Sequence, residues 1–417
     1  MSLLRALKEP FMQIKSGIIG EQHAIAALTE VIMEYDEIAP SIFLEVNEMQ
    51  AQIIQDFLEL VRIPVQSRDE RLIADNLKAK LKNLGLEVIE DPIYVEGGNT
   101  GNIRAVLKGD PAIEPIMFSA HMDRVKNNGA ISPVWDAENN IMRADGVTIL
   151  AADDVAGICV ILDALRRVIA SGKPHGDIEI ALSVCEEAGV LGSRFFDFSS
   201  FKAKKAFVFD IPGRIGKIVL QAPFKAKLIY KIHGKSAHAG NEPEKGVNAI
   251  RAAAALILAI PDSRITPYTT TNVSTIHAGT NATNVVCDYA EVLAEARSTD
   301  NEEFKDILKE FAEPVAEIEA KYGVTIEYEP NVLYKTFKVE QDEDIAKIAA
   351  SAIRKMNIEP VFARGGGGMD GNHFNNNGIR AIGIAPGYFK NHTPNEHLYL
   401  DDLQKCGELA AEIVWSI

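Results

Sequence analysis

Short apolar runs alternate with helical stretches from about residue 103 onward, and this alternation limits the fold more than any other feature. The runs are too short for helices and contain few polar residues, which is typical of strands that a parallel sheet buries on both faces. They lie at Ile116–Ala120, Ile178–Val184, Ala206–Phe209 and Ala381–Ala385, with a helical stretch at Ile158–Ile169. We therefore expect an α/β fold with a mixed, mostly parallel sheet and helices on both faces.

The pattern changes between about residues 219 and 331. Segments there follow the order β-α-β-β-α-β, which is typical of a compact α+β unit of ferredoxin-like topology. The segments are Lys225–Ile232, Gly246–Ile260, Asn272–His277, Asn284–Ala296, Glu302–Lys321 and Val324–Tyr328. We therefore predict a discontinuous α/β domain, a lid-like inserted domain and an N-terminal helical extension, at residues 51–218 with 332–417, 219–331 and 1–50 respectively.

Charge and composition exclude several classes of partner. The formal net charge of −16 disfavours binding to nucleic acid or to an anionic membrane surface. No apolar run approaches the roughly 18 residues of a membrane helix, and Lys and Glu interrupt the apolar residues at the N-terminus. The four cysteines are scattered and form no CxxC pair, a pattern typical of a reducing compartment. We expect a cytoplasmic protein without a membrane span or secretory signal.

Acidic and histidine residues follow the apolar runs at the positions where ligands bind to open α/β sheets, which are the carboxyl ends of strands. These residues are His121, Asp123, Glu186, Glu187, Asp210 and His392, and Asp153 and Asp154 precede an apolar helix. Imidazole and carboxylate groups are the ligands of zinc and similar divalent ions, and one carboxylate can bridge two ions. The pattern therefore indicates a two-metal site.

Each of these residues also has an ordinary structural explanation. His121 is compatible with a hydrogen-bonded core histidine, and Asp153–Asp154 with carboxylates that cap a helix. Glu186–Glu187 fits a solvated pair in the first turn of a helix, while Asp210 fits a turn and His392 an exposed loop. These separate explanations do not predict a common edge of the sheet, so the shared position favours the metal site.

From about residue 52 onward the chain resembles the di-zinc exopeptidases that include peptidase T, carboxypeptidase G and the aminoacylases. Eight motifs occur in that group's order: SAHMDRV (119–125), ADGVTILAADDVAG (144–157), SVCEEAGVLGS (183–193), FVFDIPG (207–213), GKSAHAG (234–240), TNVV (283–286), RGGGGMDG (364–371) and NHTPNE (391–396). The segments RGGGGMDG and ILAADDVAG are most similar to the tripeptidase branch. The resemblance implies a metal-dependent aminopeptidase or tripeptidase that acts on short peptides.

The resemblance also implies the metal ligands. One ion is held by His121, Asp154 and Asp210, and the other by Asp154, Glu187 and His392. Asp154 is preferred to its neighbour Asp153 as the shared ligand, because the family motif places its metal aspartate directly before the residue that is Val155 here. Zinc is the expected metal, with cobalt or manganese as alternatives.

Two further roles near the metals follow from the resemblance. Glu186 is the general base, which takes a proton from a metal-bridging water and delivers it to the leaving amine. Asp123 accepts a hydrogen bond from the second ring nitrogen of His121 and so fixes its tautomer. Val155 occupies a position that is often lysine in relatives, which affects the expected specificity and not the metal site.

Three residues of the inserted domain are implied to contact the substrate. His238 stabilises the oxyanion, in some relatives across a dimer, so a homodimer through the inserted domain is the expected assembly. Asn284 and Arg297 are expected to bind substrate, and the planar guanidinium of Arg297 suits a peptide carboxylate. A surface-loop histidine and a structural salt bridge remain the alternatives for His238 and Arg297.

Two other functions stay open at this point. One is an amidohydrolase that removes an acyl or carbamoyl group from an amino acid, with the same metal chemistry. The other is an inactive metal-binding or scaffold protein that keeps the fold. The presence of Glu186 argues against the second, because a protein that only binds has no need of a proton shuttle.

Overall fold

The computed structural model describes residues 48–127, 129–280 and 282–417. The predicted helical extension, residues 1–50, lies almost entirely outside the described residues. Residues from Phe57 to Ile417 form one compact unit, to which all contacts described below belong. Among the described residues, none of the helices is long and apolar enough to cross a lipid bilayer.

The helices and strands of the described residues are numbered in chain order. The helices are α1 (Glu48–Val61), α2 (Arg71–Asn83), α3 (Ala152–Ser171), α4 (Ala249–Ala259), α5 (Asn301–Ala312), α6 (Pro314–Tyr322), α7 (Asp344–Lys355), α8 (Gly371–Asn376) and α9 (Leu400–Val414). The first strands are β1 (Glu87–Glu90), β2 (Ile103–Leu107), β3 (Ile116–His121), β4 (Val134–Asp136), β5 (Ile141–Arg143), β6 (Ile178–Ser183), β7 (Lys205–Val208), β8 (Lys217–Ala222) and β9 (Phe224–His233). The remaining strands are β10 (Ser263–Arg264), β11 (Thr269–Ala278), β12 (Tyr289–Ser298), β13 (Thr325–Tyr334), β14 (Phe337–Lys338), β15 (Val361–Arg364), β16 (Arg380–Ile384), β17 (Tyr388–Phe389) and β18 (His397–Tyr399).

The main sheet has nine strands in the order β1-β2-β6-β3-β7-β16-β8-β14, with β15 paired to β8. Its central neighbours β6, β3, β7 and β16 are parallel, whereas the strands at both edges include antiparallel pairs. Every residue of β3 and β6 is buried, as expected for strands that are covered on both faces. The predicted α/β fold with a mixed sheet is therefore confirmed.

The parallel pairing determines where the loops of the main sheet meet. Since β3, β6 and β7 are parallel neighbours, their carboxyl ends lie at one edge of the sheet. A small antiparallel sheet of order β17-β18-β5-β4 contributes the loop between β17 and β18. His121, Glu186, Glu187 and Asp210 lie at or just after the ends of these three strands, and His392 lies in the loop between β17 and β18.

The inserted domain contains a second sheet, of order β10-β11-β12-β9-β13, in which all neighbouring strands are antiparallel. Its buried core packs these strands against the helices. The hydroxyl of Tyr230 in β9 also donates to the main-chain oxygen of Phe311 in α5 at 2.7 Å. The predicted β-α-β-β-α-β order is confirmed. Pro314 divides the predicted helix Glu302–Lys321 into α5 and α6, because proline lacks the N–H that a continuous helix needs.

The chain passes from the main sheet to the sheet of the inserted domain between Ala222 and Phe224, and it returns between Tyr334 and Phe337. The predicted boundaries at residues 219 and 331 differ slightly, since β8 pairs with β16 of the main sheet and β13 continues to Tyr334. We propose that the domain boundaries lie at these two changes of sheet.

Phe118, in the centre of β3, provides a test of the main core. Its buried ring makes edge-to-face contacts with Phe207 and Phe209, at centroid distances of 6.2 and 5.4 Å. We expect Phe118→Ala to lower the free energy of unfolding by about 3–5 kcal/mol, measured by urea denaturation. The control Leu72→Ala removes a side chain that is 58% exposed and should cost less than about 0.5 kcal/mol. Equal small losses in both variants would contradict this assignment of the core.

Candidate metal centre

The residues of the candidate site come from five separate segments. His121 is the last residue of β3, Asp153 and Asp154 lie in the first turn of α3, and the pair Glu186–Glu187 follows β6. Asp210 follows β7, and His392 lies in the loop between β17 and β18. Asp153, Glu186, Glu187, Asp210 and His392 line one cavity of about 410 Å³. His121 is buried against the acidic residues of that cavity wall.

One group of ligand-type atoms surrounds the ring of His121. Its Nε2 lies 3.0 Å from Oδ1 of Asp153 and 3.9 Å from Oδ1 of Asp210. The hydroxyl of Tyr388 donates to Oδ1 of Asp210 at 3.0 Å and so holds that carboxylate in place. Imidazole and carboxylate atoms at this spacing are suitable for one divalent ion.

A second group surrounds the ring of His392. Its Nε2 lies 2.7 Å from Oε1 of Glu187 and 3.2 Å from Oδ2 of Asp153. Asn391 donates from Nδ2 to the same oxygen of Asp153 at 2.6 Å. The two oxygens of Asp153 therefore face two different histidines, and Asp153 lies between the two groups.

Asp154, which the sequence predicted as the shared ligand, has both carboxylate oxygens within hydrogen-bond distance of main-chain N–H groups. Its Oδ2 accepts from the main-chain N–H of His121 and its Oδ1 from that of Gly157, both at 3.1 Å. Asp154 does lie near His121 and Asp210, with ligand atoms within 4.8 Å of one another. Of the two adjacent aspartates, Asp153 is the one whose carboxylate faces His392, and the main chain just before them is left-handed at Ala151 (φ 59°).

Asp123 holds the main chain that carries the two glutamates. Its carboxylate accepts from the N–H groups of Glu186 at 2.8 Å and Glu187 at 3.2 Å, and from the hydroxyl of Ser67 at 2.6 Å. The Nδ1 atom of His121 lies 3.4 Å from Oδ1 of Asp123 but 3.0 Å from its main-chain oxygen. The nearest acceptor for that ring nitrogen is thus the main-chain oxygen and not the carboxylate that the sequence predicted.

The three residues of the inserted domain that were predicted to contact substrate, Arg297, His238 and Asn284, do not lie together: the first lines the cavity and the other two lie outside it. Arg297 of β12 lines the same cavity as Glu186, and its Nε donates to Oε1 of Glu295 at 2.8 Å. His238 and Asn284 are exposed and are not among the residues that line the cavity. They are neighbours, because the N–H of Ala239 donates to the main-chain oxygen of Asn284 at 2.9 Å.

The site concentrates negative charge in a buried place. Burial raises the pKa of Glu186 well above its usual value, and the nearby charge of Asp210 raises it further. Burial likewise raises the pKa values of Asp154 and Asp210. Hydrogen bonds to Asp153 and Glu187 raise the pKa of His392 to about 10. Because crowded carboxylates repel one another, this donor set fits divalent cations, which compensate their charge.

Three residues around the site were not singled out by the sequence. Tyr388 and Asn391 hold the carboxylates of Asp210 and Asp153, as described above. Glu396 is buried and accepts main-chain hydrogen bonds from the segment that precedes α3. Asn391 and Glu396 both belong to the motif NHTPNE, so the motif pointed to the correct segment but not to their roles.

Parts of this chain match two known peptidase families. Residues 225–323 match the peptidase dimerisation domain, and residues 102–243 match peptidase family M28. The Bacillus subtilis (strain 168) protein YqjE is 36% identical over 370 residues, which cover 88% of this chain and 98% of that protein.

Two solved structures share both the fold and a substantial part of the sequence. Aminopeptidase PepT from Bacillus cereus ATCC 10987 is 35% identical, with a TM-score of 0.77, and the match covers 88% of this chain and 98% of that one. A tripeptidase from Staphylococcus aureus subsp. aureus Mu50 is 31% identical, with a TM-score of 0.81 and coverages of 88% and 97%. The chain therefore belongs to the family of peptidase T-like metallopeptidases.

Proposed function

We propose that this protein removes the N-terminal residue from short peptides, as an aminopeptidase that acts on tripeptides. The observation that carries the proposal is the position of Glu186 in the wall of a cavity that is also lined by ligand-type side chains and by Arg297; the ligand-type residues are Asp153, Glu187, Asp210 and His392. One solved relative is described as an aminopeptidase and another as a tripeptidase, which supports the same substrate class.

We infer that the cavity binds two divalent ions. His121, Asp153 and Asp210 would hold one ion, and Asp153, Glu187 and His392 the other, with Asp153 shared. Zinc suits this set of imidazole and carboxylate ligands, and cobalt and manganese are the alternatives. When bound, such ions polarise the scissile carbonyl group and lower the pKa of the attacking water.

Glu186 would move the proton in this reaction. Its main-chain N–H is fixed by Asp123, so its carboxylate is held at the cavity wall beside the ligand clusters. In that position it takes the proton of the attacking water and delivers it to the leaving amine. Glu187 binds metal, so the two adjacent glutamates have different roles.

Residues of the inserted domain would position the peptide. Arg297 lines the same cavity, and its guanidinium suits the carboxylate of a short peptide. Nδ1 of His238 accepts from the N–H groups of Gly240 and Asn241, so Nε2 carries the ring proton and is a donor. Because His238 and Asn284 are outside the cavity of their own chain, we propose that they act on the partner subunit of a homodimer.

The expected cellular location is the cytoplasm. All four cysteines lie in the described part of the chain, and none of them forms a disulfide bond there. This agrees with a reducing compartment. The net charge of −16 gives no support for a nucleic-acid or membrane partner.

The role of Glu186 can be separated from metal binding. We expect Glu186→Gln to keep both metal ions and to lower kcat for tripeptide hydrolysis by about 10²–10⁴-fold, because the amide cannot accept the proton. The matched neighbour Glu187→Gln should instead lose metal. Metal content by mass spectrometry and kcat would be measured for both variants, and unchanged turnover in Glu186→Gln would exclude it as the base.

The two adjacent aspartates should differ in metal binding. Asp153→Asn is expected to bind less metal after dialysis, because one of its two oxygens, which face His121 and His392, becomes an NH₂ group and the negative charge is lost. Asp154→Asn should retain two ions and lose about 1–3 kcal/mol of stability, since an NH₂ group would face main-chain N–H donors. Metal analysis and urea denaturation check this. Loss of metal in Asp154→Asn with full metal in Asp153→Asn would reverse the assignment.

A substrate panel tests the proposed activity itself. Tripeptides, dipeptides and blocked tripeptides with an acetylated N-terminus would be compared with N-acyl and N-carbamoyl amino acids. We expect turnover of free tripeptides, loss of activity with EDTA, and recovery on addition of zinc, cobalt or manganese. Turnover of the acyl or carbamoyl compounds alone would show an amidohydrolase, and no turnover of any compound by metal-loaded protein would indicate a binding protein.

A further inference from the structure

The helix α3 is only partly capped by its own sequence, since Oδ1 of Asp154 accepts from the N–H of Gly157 but the preceding N–H groups need other acceptors. Its N-cap residue, Ala151, has no side chain that accepts a hydrogen bond. The N–H groups at the start of a helix nevertheless need acceptors when they are buried, and carboxylates are favoured there by the helix dipole. The sequence suggests Asp153 and Asp154 together for this task.

Glu396 supplies the missing acceptors from a distant part of the chain. Its Oε2 accepts from the N–H groups of Leu150 at 2.9 Å and Ala151 at 2.8 Å, and its Oε1 accepts from that of Asp153 at 3.1 Å. The side chain is buried, with 1% of the residue exposed. Both oxygens of Glu396 are thus used by the segment that leads into α3.

The same short segment carries His392. Glu396 donates from its N–H to the main-chain oxygen of Thr393 at 3.0 Å, and its own main-chain oxygen accepts from the N–H of Ala144 at 3.0 Å. The turn between His392 and Glu396 therefore has a hydrogen bond within itself and a second one to Ala144, which follows β5. A displacement of Glu396 would move the loop of His392 relative to that of Asp153.

We propose that Glu396 is a positioning residue of the metal centre: it accepts the main-chain N–H groups of Leu150, Ala151 and Asp153 at the start of α3 and so fixes the loops of Asp153 and His392 relative to each other. Because Glu396 accepts the main-chain N–H groups, both carboxylate oxygens of Asp153 are left to face His121 and His392. The inference rests on the proposed two-metal site and adds a residue that contacts neither ion. It concerns metal affinity and not the chemical step.

Metal affinity of the Glu396→Gln variant is the direct test. Glutamine has the same length but offers one acceptor oxygen, and its NH₂ group would face a main-chain N–H. We expect the affinity of the metal-free protein for Zn²⁺ to fall by about 10–100-fold, which is the usual effect of a residue that orients metal ligands. The affinity would be measured by titration against a competing chelator, and kcat at saturating Zn²⁺ should return close to that of the unmodified protein.

Glu179 provides a matched control. It is also a buried glutamate, with 4% of the residue exposed, and its oxygens accept from the main-chain N–H groups of Lys202 at 2.9 Å and Ala203 at 3.0 Å. It lies in β6 and does not line the cavity. We expect Glu179→Gln to lose stability comparably in urea denaturation, without any change in affinity for Zn²⁺.

The possible results separate this proposal from the proposed function. Zinc affinity that falls in Glu396→Gln but not in Glu179→Gln supports it, whereas unchanged affinity in a folded Glu396→Gln overturns it. Should Glu396→Gln not fold, Glu396→Asp keeps the charge one methylene shorter, and its affinity decides by the same criterion. Failure of the unmodified protein to bind Zn²⁺, Co²⁺ or Mn²⁺ would instead overturn the two-metal site and the positioning role with it.

Discussion

The parallel pairing of β3, β6 and β7 is the constraint on which the rest of the structure depends. It places the carboxyl ends of three buried strands side by side, so the segments after them must share one edge. The segments after these strands no longer pair with a neighbouring strand, so their main-chain N–H groups need other acceptors. A cluster of carboxylates at this edge satisfies those N–H groups and at the same time forms the candidate metal centre.

The acidic residues of the centre divide into two kinds by what their oxygens contact. Asp123, Asp154 and Glu396 accept from main-chain N–H groups, and so they fix the loops. Asp153 and Glu187 face histidine rings. A carboxylate whose oxygens are occupied by N–H donors holds the structure, whereas one that faces imidazole groups is placed to bind a cation. This distinction explains why so many acids can be buried together.

The sequence predicted the sheet, the inserted domain and the edge at which the ligands meet, because strand burial and the order of elements leave periodic patterns. The family motif led to the choice of Asp154 over Asp153 as the shared ligand, whereas the structure turns the carboxylate of Asp153 toward both histidines. Adjacent residues of the same type differ only in the direction of the main chain, which is determined here by the left-handed Ala151 and by Glu396. The role of Glu396 depends on a contact across 245 residues with Ala151, and no local pattern encodes such a contact.

The residues that we propose for metal binding and for peptide binding belong to different parts of the fold. All the candidate ligands belong to the main domain, but Arg297 comes from the inserted domain, and its Nη1 approaches the main-chain oxygen of Gly366 at 3.5 Å. Tyr334 is the last residue of β13, where the chain leaves the inserted domain. It packs against the same glycine-rich loop, residues 365–368. A Cβ atom at Gly368 would lie 2.2 Å from the ring of Tyr334, so that position requires glycine if the two segments are to pack. The position of the inserted domain therefore determines where Arg297 lies in the cavity wall, while the ligand-type side chains keep their geometry through contacts within the main domain.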